Sequence, residues 1–128
     1  MKHVDTKRRR GFFKLVLDSG HAQAAMMVLR PGQSSSDAPE NEHPRSEQWL
    51  YVISGTGRAT TGKRRLALHE GSLLLIEKDE PHKVTCTGRR QLVTLNLYVP
   101  PAYTSGGDVK LLAKRPSVTG ALRRMVAR

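Results

Sequence analysis

Apolar and polar residues alternate along most of the chain in short runs that turn residues separate. Residues 48–53 read Gln-Trp-Leu-Tyr-Val-Ile, and aromatic and β-branched side chains favour the pleated state. Glycine-containing turns, such as 54–57 and 61–63, separate runs of this kind. The pattern predicts a loop over 30–45 and strands over 12–17, 21–29, 48–53, 58–61, 65–69, 73–77, 82–87 and 91–99. Because no helical period precedes residue 105, the chain is predicted to form an all-β sandwich or barrel.

Strand parity predicts which side chains face the interior, since neighbouring side chains of a strand point to opposite faces. We expect the polar residues Gln48 and His82 to face inward. The same parity turns four further side chains inward, namely Leu50, Val52, Val84 and Cys86. Trp49 and Tyr51 then face outward, where they form either outer packing or a dimer face. The interior is therefore expected to hold a polar patch at one end of an apolar barrel.

The charge of the chain is concentrated at its two ends. The 128 residues, enough for one domain, carry a net charge of +11. Residues 1–10 hold five basic residues against one acidic residue, and residues 105–128 hold six against one. We predict a basic N-terminal arm over 1–10, a barrel over 11–104 and a basic C-terminal tail over 105–128, with a short helix over 118–127. Both ends are either flexible, solvated arms or a contact surface for nucleic acid or another polyanion.

Cysteine usage and hydropathy indicate the compartment. Cys86 is the one cysteine, so no intramolecular disulfide can form. The apolar runs, such as Leu73 to Ile76, are far shorter than the roughly 20 residues that span a bilayer. Arg9-Arg10 resembles the start of an export signal, but only residues 15–17 follow as an apolar stretch before Asp18. We expect a cytoplasmic protein with no membrane contact.

Two pairs of residues with fixed spacing carry the candidate chemistry. In the first segment His43 is followed after four residues by Gln48, and after six more by Gly55. In the second segment His82 follows Gly71 at a separation of eleven. These segments resemble the two paired motifs of the cupin superfamily. The amino-acid sequences of residues 42–57 and 95–103 resemble those of one subset of cupins. Some members of that subset are described as similar to mannose-6-phosphate isomerase.

The resemblance has departures as well as matches. Gln48 stands at the family's glutamate position and Asn41 at its first histidine position. In the second motif the family's proline, glycine and asparagine positions hold Glu77, Asp79 and Cys86. A neutral Gln48 supplies an oxygen ligand without charge, so metal affinity is expected to fall and the metal to be more electrophilic.

The resemblance implies a single cupin-type, jelly-roll-like β-barrel that forms a homodimer. It also implies a divalent metal ion (Mn, Fe, Ni or Zn) held by His43, Gln48 and His82. The ligand pocket would then include five further residues, Asn41, Leu50, Val52, Val84 and Cys86. The alternatives for each residue are structural. Gln48 is equally well explained by a structural hydrogen bond. Asn41 is alternatively a turn residue of the loop, and Cys86 is alternatively a small apolar residue of the core.

Three functions are compatible with the sequence. The first is a metal-binding cupin for a small polar organic ligand, a sugar or a carbon acid, acting as an isomerase-like or other metal-dependent enzyme. The second is a non-catalytic binding or sensing module with the same pocket. The third is a polyanion-binding protein that uses the basic tails. The sequence identifies no acid–base residue, so whether the chain is an enzyme stays open at this point.

Overall fold

Eight strands and one short 3-10 turn make up the part of the chain that the structure describes. The structure is a computed structural model, and it describes residues 1–8 and 11–104. The 3-10 turn is Thr6–Arg8. The strands are β1 (Phe13–Asp18), β2 (Gln23–Leu29), β3 (Glu47–Ser54), β4 (Gly57–Thr61), β5 (Arg64–Leu68), β6 (Leu73–Ile76), β7 (Lys83–Cys86) and β8 (Leu92–Val99). Each predicted strand is present within one or two residues of its expected bounds.

The strands form two sheets that enclose one core. The first sheet has the order β1-β2-β8-β3-β6 and the second has the order β5-β4-β7. All the pairings between these strands are antiparallel. The main core cluster draws on both sheets, with members Met27, Leu29, Leu50, Val52, Ala59, Leu68, Val84, Cys86 and Leu92. The prediction of an all-β, jelly-roll-like barrel is therefore confirmed.

Burial along β3 follows the predicted parity. Gln48, Leu50 and Val52 are buried, while Trp49 is 38% exposed and Tyr51 is 44% exposed. On the opposite sheet His82, Val84 and Cys86 are also buried. The inward set predicted from parity is thus the set that the fold encloses.

A tight turn joins the two sheets where β3 ends. Gly55 has a φ of +90°, a backbone conformation that favours glycine. A Cβ atom at this position would overlap the carbonyl oxygen of Gln91 and would lie 2.9 Å from the Cα of Leu92. The start of β8 therefore lies directly against this turn.

The long loop before β3 is more ordered than an irregular loop. Two isolated bridges, Ser34 with Thr85 and Glu40 with His82, pair it with β7 and the residue before it. Glu40 and His82 exchange both backbone hydrogen bonds, with N···O distances of 3.0 and 2.9 Å. The loop over 30–45 predicted from composition thus includes β-type pairing to the second sheet.

The side chains of Gln23 and Ser46 hold the segment after β8 against the barrel, and the hydroxyl of Ser46 donates to the carbonyl of Pro100 at 2.7 Å. The amide of Gln23 donates to the carbonyl of Tyr103 at 2.7 Å, and its oxygen accepts from the backbone N–H groups of Ala102 and Tyr103 at 2.9 and 3.0 Å. Tyr103 also packs on Phe13, with ring centroids 4.9 Å apart. Residues 100–104 therefore close one end of the barrel.

Part of the predicted N-terminal arm contacts the barrel, since the Lys2 Nζ donates to the carbonyl of Asp18 at 2.9 Å. The predicted C-terminal tail over 105–128 and its helix over 118–127 lie outside the described residues. Among residues 1–8 and 11–104, no helix is both long and apolar enough to cross a membrane.

Candidate functional site

The candidate site lies at the end of the barrel that residues 100–104 close. His43 precedes β3, Gln48 is the second residue of β3, and His82 comes directly before β7. The β3–β8 register places Gln48 opposite Tyr98. The side chains of His43, Gln48 and His82 are all buried, with exposed fractions of 2, 3 and 6%. The fold therefore brings the three sequence-predicted metal ligands to one region.

Both histidines bind a backbone carbonyl through Nδ1. The Nδ1 of His43 lies 3.0 Å from the carbonyl oxygen of Ser46, and the Nδ1 of His82 lies 2.9 Å from that of Glu80. Because a carbonyl can only accept, the Nδ1 of His82 carries a proton, and in a neutral ring its Nε2 then carries a lone pair. His43 differs, because its Nε2 faces a second acceptor, the Oε1 of Gln48, at 2.8 Å. A neutral His43 ring therefore has one proton for two contacts with acceptors. The two rings are side by side, with centroids 4.8 Å apart and planes tilted by 44°. These contacts fix both ring orientations.

Gln48 connects His43 to the interior of the barrel. Its Oε1 lies 2.8 Å from the Nε2 of His43, and its Nε2 donates to the Oδ1 of Asn96 at 2.8 Å. Asn96 is fully buried and donates in turn to the hydroxyl of Thr94 at 3.0 Å. Gln48 thus takes part both in the candidate ligand set and in a structural hydrogen-bond chain, the two alternatives that the sequence left open.

Tyr98 is a site residue that the sequence reasoning missed. Its ring meets the ring of His43 edge-on, with centroids 5.1 Å apart, and meets that of Tyr103 at 4.9 Å. Burial, followed by the charge and hydrogen bond of Tyr103 and the charge of Glu42, raises the pKa of Tyr98 well above its usual value. Tyr98 therefore keeps its proton, and the hydrogen bond that helps to raise its pKa is the one with Tyr103.

Strand parity on β8 contained the signal for these missed residues. Leu92, Thr94, Asn96 and Tyr98 alternate with more exposed residues and are all buried. The parity rule used for β3 predicts, when it is used for β8, that Thr94, Asn96 and Tyr98 face inward.

The remaining predicted pocket residues occupy two different places. Leu50, Val52, Val84 and Cys86 belong to the apolar core cluster, and the Sγ of Cys86 lies 3.1 Å from the carbonyl of Arg90. Asn41 lies in the loop before β3, and its amide donates to the carboxylate of Asp79 at 3.3 Å. Cys86 therefore packs as a core residue, Asn41 bridges two loops, and contact of these five with a ligand stays a prediction.

The donor chemistry of the site fits a divalent transition metal, without a charged ligand. Among residues 1–8 and 11–104 no group of three or more His, Cys, Asp or Glu side chains is placed to hold a metal. The candidate set is two imidazoles and one carboxamide oxygen, ligand types that suit several divalent metals. Histidine ligands of metals commonly donate their other ring N–H to a carbonyl, as both histidines do here.

Comparison with known proteins places the chain in a family. A family model described as a cupin domain matches residues 25–98. The crystal structure of BH2720 from Bacillus halodurans is 27% identical, with a TM-score of 0.72, over 81% of this chain and 80% of that chain. An uncharacterized protein of Acanthamoeba polyphaga mimivirus is 26% identical over 86% of this chain and 68% of its own length.

A second solved structure is that of a protein named after an enzyme activity. The structure of a putative sugar phosphate isomerase from Acidithiobacillus ferrooxidans is 22% identical, with a TM-score of 0.55, over 64% of this chain and 52% of that chain. At that identity the likeness concerns the fold alone. The family model, by contrast, covers more than half of the residues, including His43, Gln48 and His82. The chain therefore belongs to the cupin family.

Proposed function

We propose that this cupin holds a divalent metal ion with His43, His82 and Gln48 and binds a small polar organic ligand at that ion. One observation carries the proposal. His43 Nε2 and Gln48 Oε1 face each other at 2.8 Å, while the Nδ1 of His43 is held by a carbonyl. Both ring nitrogens of His43 thus face oxygen acceptors, and a neutral ring has a proton for only one of them. A cation bound by Nε2 and Oε1 turns the second contact into coordination.

The surroundings of this ligand set support a small ligand. A few polar groups gather at the end of an apolar barrel, which is the usual form of a small-molecule site. A bound metal would polarise a carbonyl or hydroxyl of the ligand. Tyr98 is held protonated beside His43, and a ligand oxygen that replaced its bond with Tyr103 would accept a hydrogen bond from it. These features favour a sugar or a carbon acid, both of which present several oxygens.

If the protein is an enzyme, we propose that it catalyses an isomerase-like reaction. A metal that polarises a carbonyl, next to a protonated hydroxyl, stabilises the negative charge that develops on oxygen when a neighbouring carbon loses its proton. The fold likeness to a putative sugar phosphate isomerase is in line with this class. Tyr98 would then act as the donor to that oxygen, and its raised pKa makes it unsuitable as the base.

The first experiment measures metal content by mass spectrometry on protein purified without a histidine tag. The test variant is His43→Ala/His82→Ala, and the matched control is His21→Ala/His69→Ala, which removes two exposed histidines outside the site. We expect near-stoichiometric metal in the wild type and the control, and loss of metal in the test variant. If the wild type stays empty after incubation with Mn, Fe, Ni and Zn, the proposal is wrong.

A non-catalytic binding or sensing module is the second candidate. The observation that favours it is the neutral ligand set, because the carboxylate that most firmly fixes a metal is replaced by Gln48. Thermal-shift screening against sugars and carbon acids, followed by product analysis with each binder, separates the two functions. A ligand that binds and is recovered unchanged supports the sensing role, whereas a product formed only by the metal-loaded wild type supports the enzyme.

We also propose that the first sheet binds a second copy of this chain. Trp49, Tyr51, Leu73, Leu75 and Leu97 are exposed on its outer side and form the outer apolar patch. The register places Leu75, Trp49 and Leu97 in one row and Leu73, Tyr51 and Leu95 in the next. None of these six residues is charged, although the chain has a net charge of +11. The second row continues through Met26 to the charged residue Lys14 at the edge of the sheet. Two positively charged copies repel each other least when they meet through uncharged surfaces. The outer apolar patch is such a surface, and in a two-fold dimer each copy contributes the same patch.

Sedimentation equilibrium tests this dimer. Leu73→Glu places a charge in the outer apolar patch, and Ala67→Glu places the same charge at an exposed position of the second sheet. We expect the wild type and Ala67→Glu to be dimers and Leu73→Glu to be a monomer. A wild type that stays monomeric at every concentration tested, or that binds anionic vesicles through the patch instead, would overturn the proposal.

A further inference from the structure

The amide of Asn96 has its orientation fixed by three oxygen atoms. Its Nδ2 lies 3.0 Å from the hydroxyl of Thr94, 3.4 Å from the carbonyl of Ala25 and 3.5 Å from the carbonyl of Thr94. Two of these are backbone carbonyls, which can only accept a hydrogen bond. A flipped amide would set its oxygen against both of them. The Oδ1 of Asn96 is therefore held toward Gln48.

Thr94 adds a direction to the same contact. Its hydroxyl donates to the carbonyl of Met27 at 3.2 Å, so that its oxygen is left to accept from Asn96. Thr94 and Asn96 are completely buried. Water therefore does not compete for these groups, and a reversed hydrogen bond would leave a buried polar atom unsatisfied, at a cost of about 1–3 kcal/mol.

The fixed orientation of the Asn96 amide determines the orientation of the Gln48 amide, which belongs to the candidate ligand set. Because Asn96 presents an acceptor, Gln48 must present its amide N–H groups to Asn96 and its Oε1 to His43. A carboxylate at position 48 has no proton to donate, and it would set an oxygen against the Oδ1 of Asn96. The same contacts thus account for glutamine at the family's glutamate position.

We infer that Asn96 and Thr94 are positioning residues of the metal site, which hold the Gln48 carbonyl toward the ion as a neutral ligand. This inference rests on the proposed metal-binding function. It adds that the strength of metal binding depends on two buried residues that the metal does not touch. Outer hydrogen-bond partners of this kind typically change metal affinity by about 10–100-fold.

The first test needs no metal. In the metal-free protein, nuclear Overhauser contacts of the Gln48 side-chain amide protons report which neighbour they face. We expect stronger contacts to Asn96 than to the ring of His43. Contacts that are stronger to the His43 ring would mean that Gln48 is flipped, and they would overturn the inference whether or not the protein binds a metal.

The second test measures metal affinity by competition with a chelator. Asn96→Leu removes the acceptor that holds Gln48, and Thr94→Val removes the hydroxyl but keeps the shape. Thr94→Ser keeps the hydroxyl and is the conservative rescue. Leu68→Ala removes a buried side chain of the same barrel outside both the predicted pocket and the chain of hydrogen bonds, and it controls for general loosening.

We expect Asn96→Leu to weaken metal binding by about 10–100-fold, Thr94→Val to weaken it less, and the other two variants to stay near the wild type. A folded Asn96→Leu protein with wild-type affinity would overturn the inference while leaving the proposed function standing. If Asn96→Leu does not fold, Thr94→Val against Thr94→Ser decides. A wild type that binds none of the metals removes both the proposed function and the metal role of these residues.

Discussion

The two glycines shared with the cupin motifs, Gly55 and Gly71, form a matched pair for testing how the barrel closes. Both have a φ of +90°. An alanine at either position therefore meets the same backbone strain, about 1–2 kcal/mol for a residue with a Cβ. They differ in space, because nothing lies within 4 Å of a Cβ at Gly71, whereas a Cβ at Gly55 would lie 2.9 Å from the Cα of Leu92.

The expected magnitudes follow from this difference. Gly71→Ala should lower the free energy of unfolding by the strain alone. Gly55→Ala must also displace the backbone at Gln91 and Leu92, which cannot move aside as the end of a flexible side chain can. Overpacking of this kind adds about 1–3 kcal/mol. We therefore expect Gly55→Ala to be less stable than Gly71→Ala by that amount.

Urea unfolding followed by circular dichroism measures both variants against the wild type. With a slope of about 1–3 kcal/mol per molar urea for a domain of this size, the two midpoints should differ by roughly 1 M. Equal losses in both variants would refute the reasoning, because they would show that the close approach of β8 to the turn contributes nothing. A smaller loss for Gly55→Ala would contradict it more strongly.

Two further predictions concern the closed end of the barrel. Above pH 10 the unfolded chain releases a tyrosine proton that native Tyr98 keeps, so the free energy of unfolding should fall by up to about 1.4 kcal/mol per pH unit. Urea unfolding from pH 9 to 11.5 should show a shallower fall in Tyr98→Phe, and an unchanged slope in that variant would contradict the raised pKa. Gln23→Leu should cost about 2–4 kcal/mol and speed hydrogen exchange at the amides of Ala102 and Tyr103, because both then lack their acceptor; unchanged exchange at these amides would contradict the role given to Gln23.

The strands and their inner faces could be predicted because the information is local. Alternation along residues 48–53 gives both the strand and the inward set, and a single reference residue, Gln48, fixes the parity. The paired motifs then bring His43 and His82 together from distant positions, through the resemblance to a family rather than through any local rule. The predicted outward position of Trp49 and Tyr51 is confirmed for the same reason as the inward set.

The hydrogen-bond chain could not be predicted, because it depends on the register between strands that are distant in sequence. Gln48 and Asn96 are 48 residues apart, and they meet only because β3 pairs with β8 in one particular register. A slip of one residue would turn Asn96 to the outer face. The pairing of Glu40 with His82 was missed for a similar reason, since a polar loop composition carries no signal for which strand the loop will join.

The reciprocal backbone pair between Glu40 and His82 has a consequence for the rate of ligand exchange. His43, Gln48 and His82 are almost fully buried, so a ligand of the proposed kind would enter only when some part of their cover moves. Separation of the loop at Glu40 from the second sheet breaks both hydrogen bonds to the backbone of His82. When the loop opens in this way, the backbone of His82, one of the three candidate metal ligands, loses its support at the same time. Under such gating the observed binding rate levels off at high ligand concentration, at the rate with which the loop leaves β7.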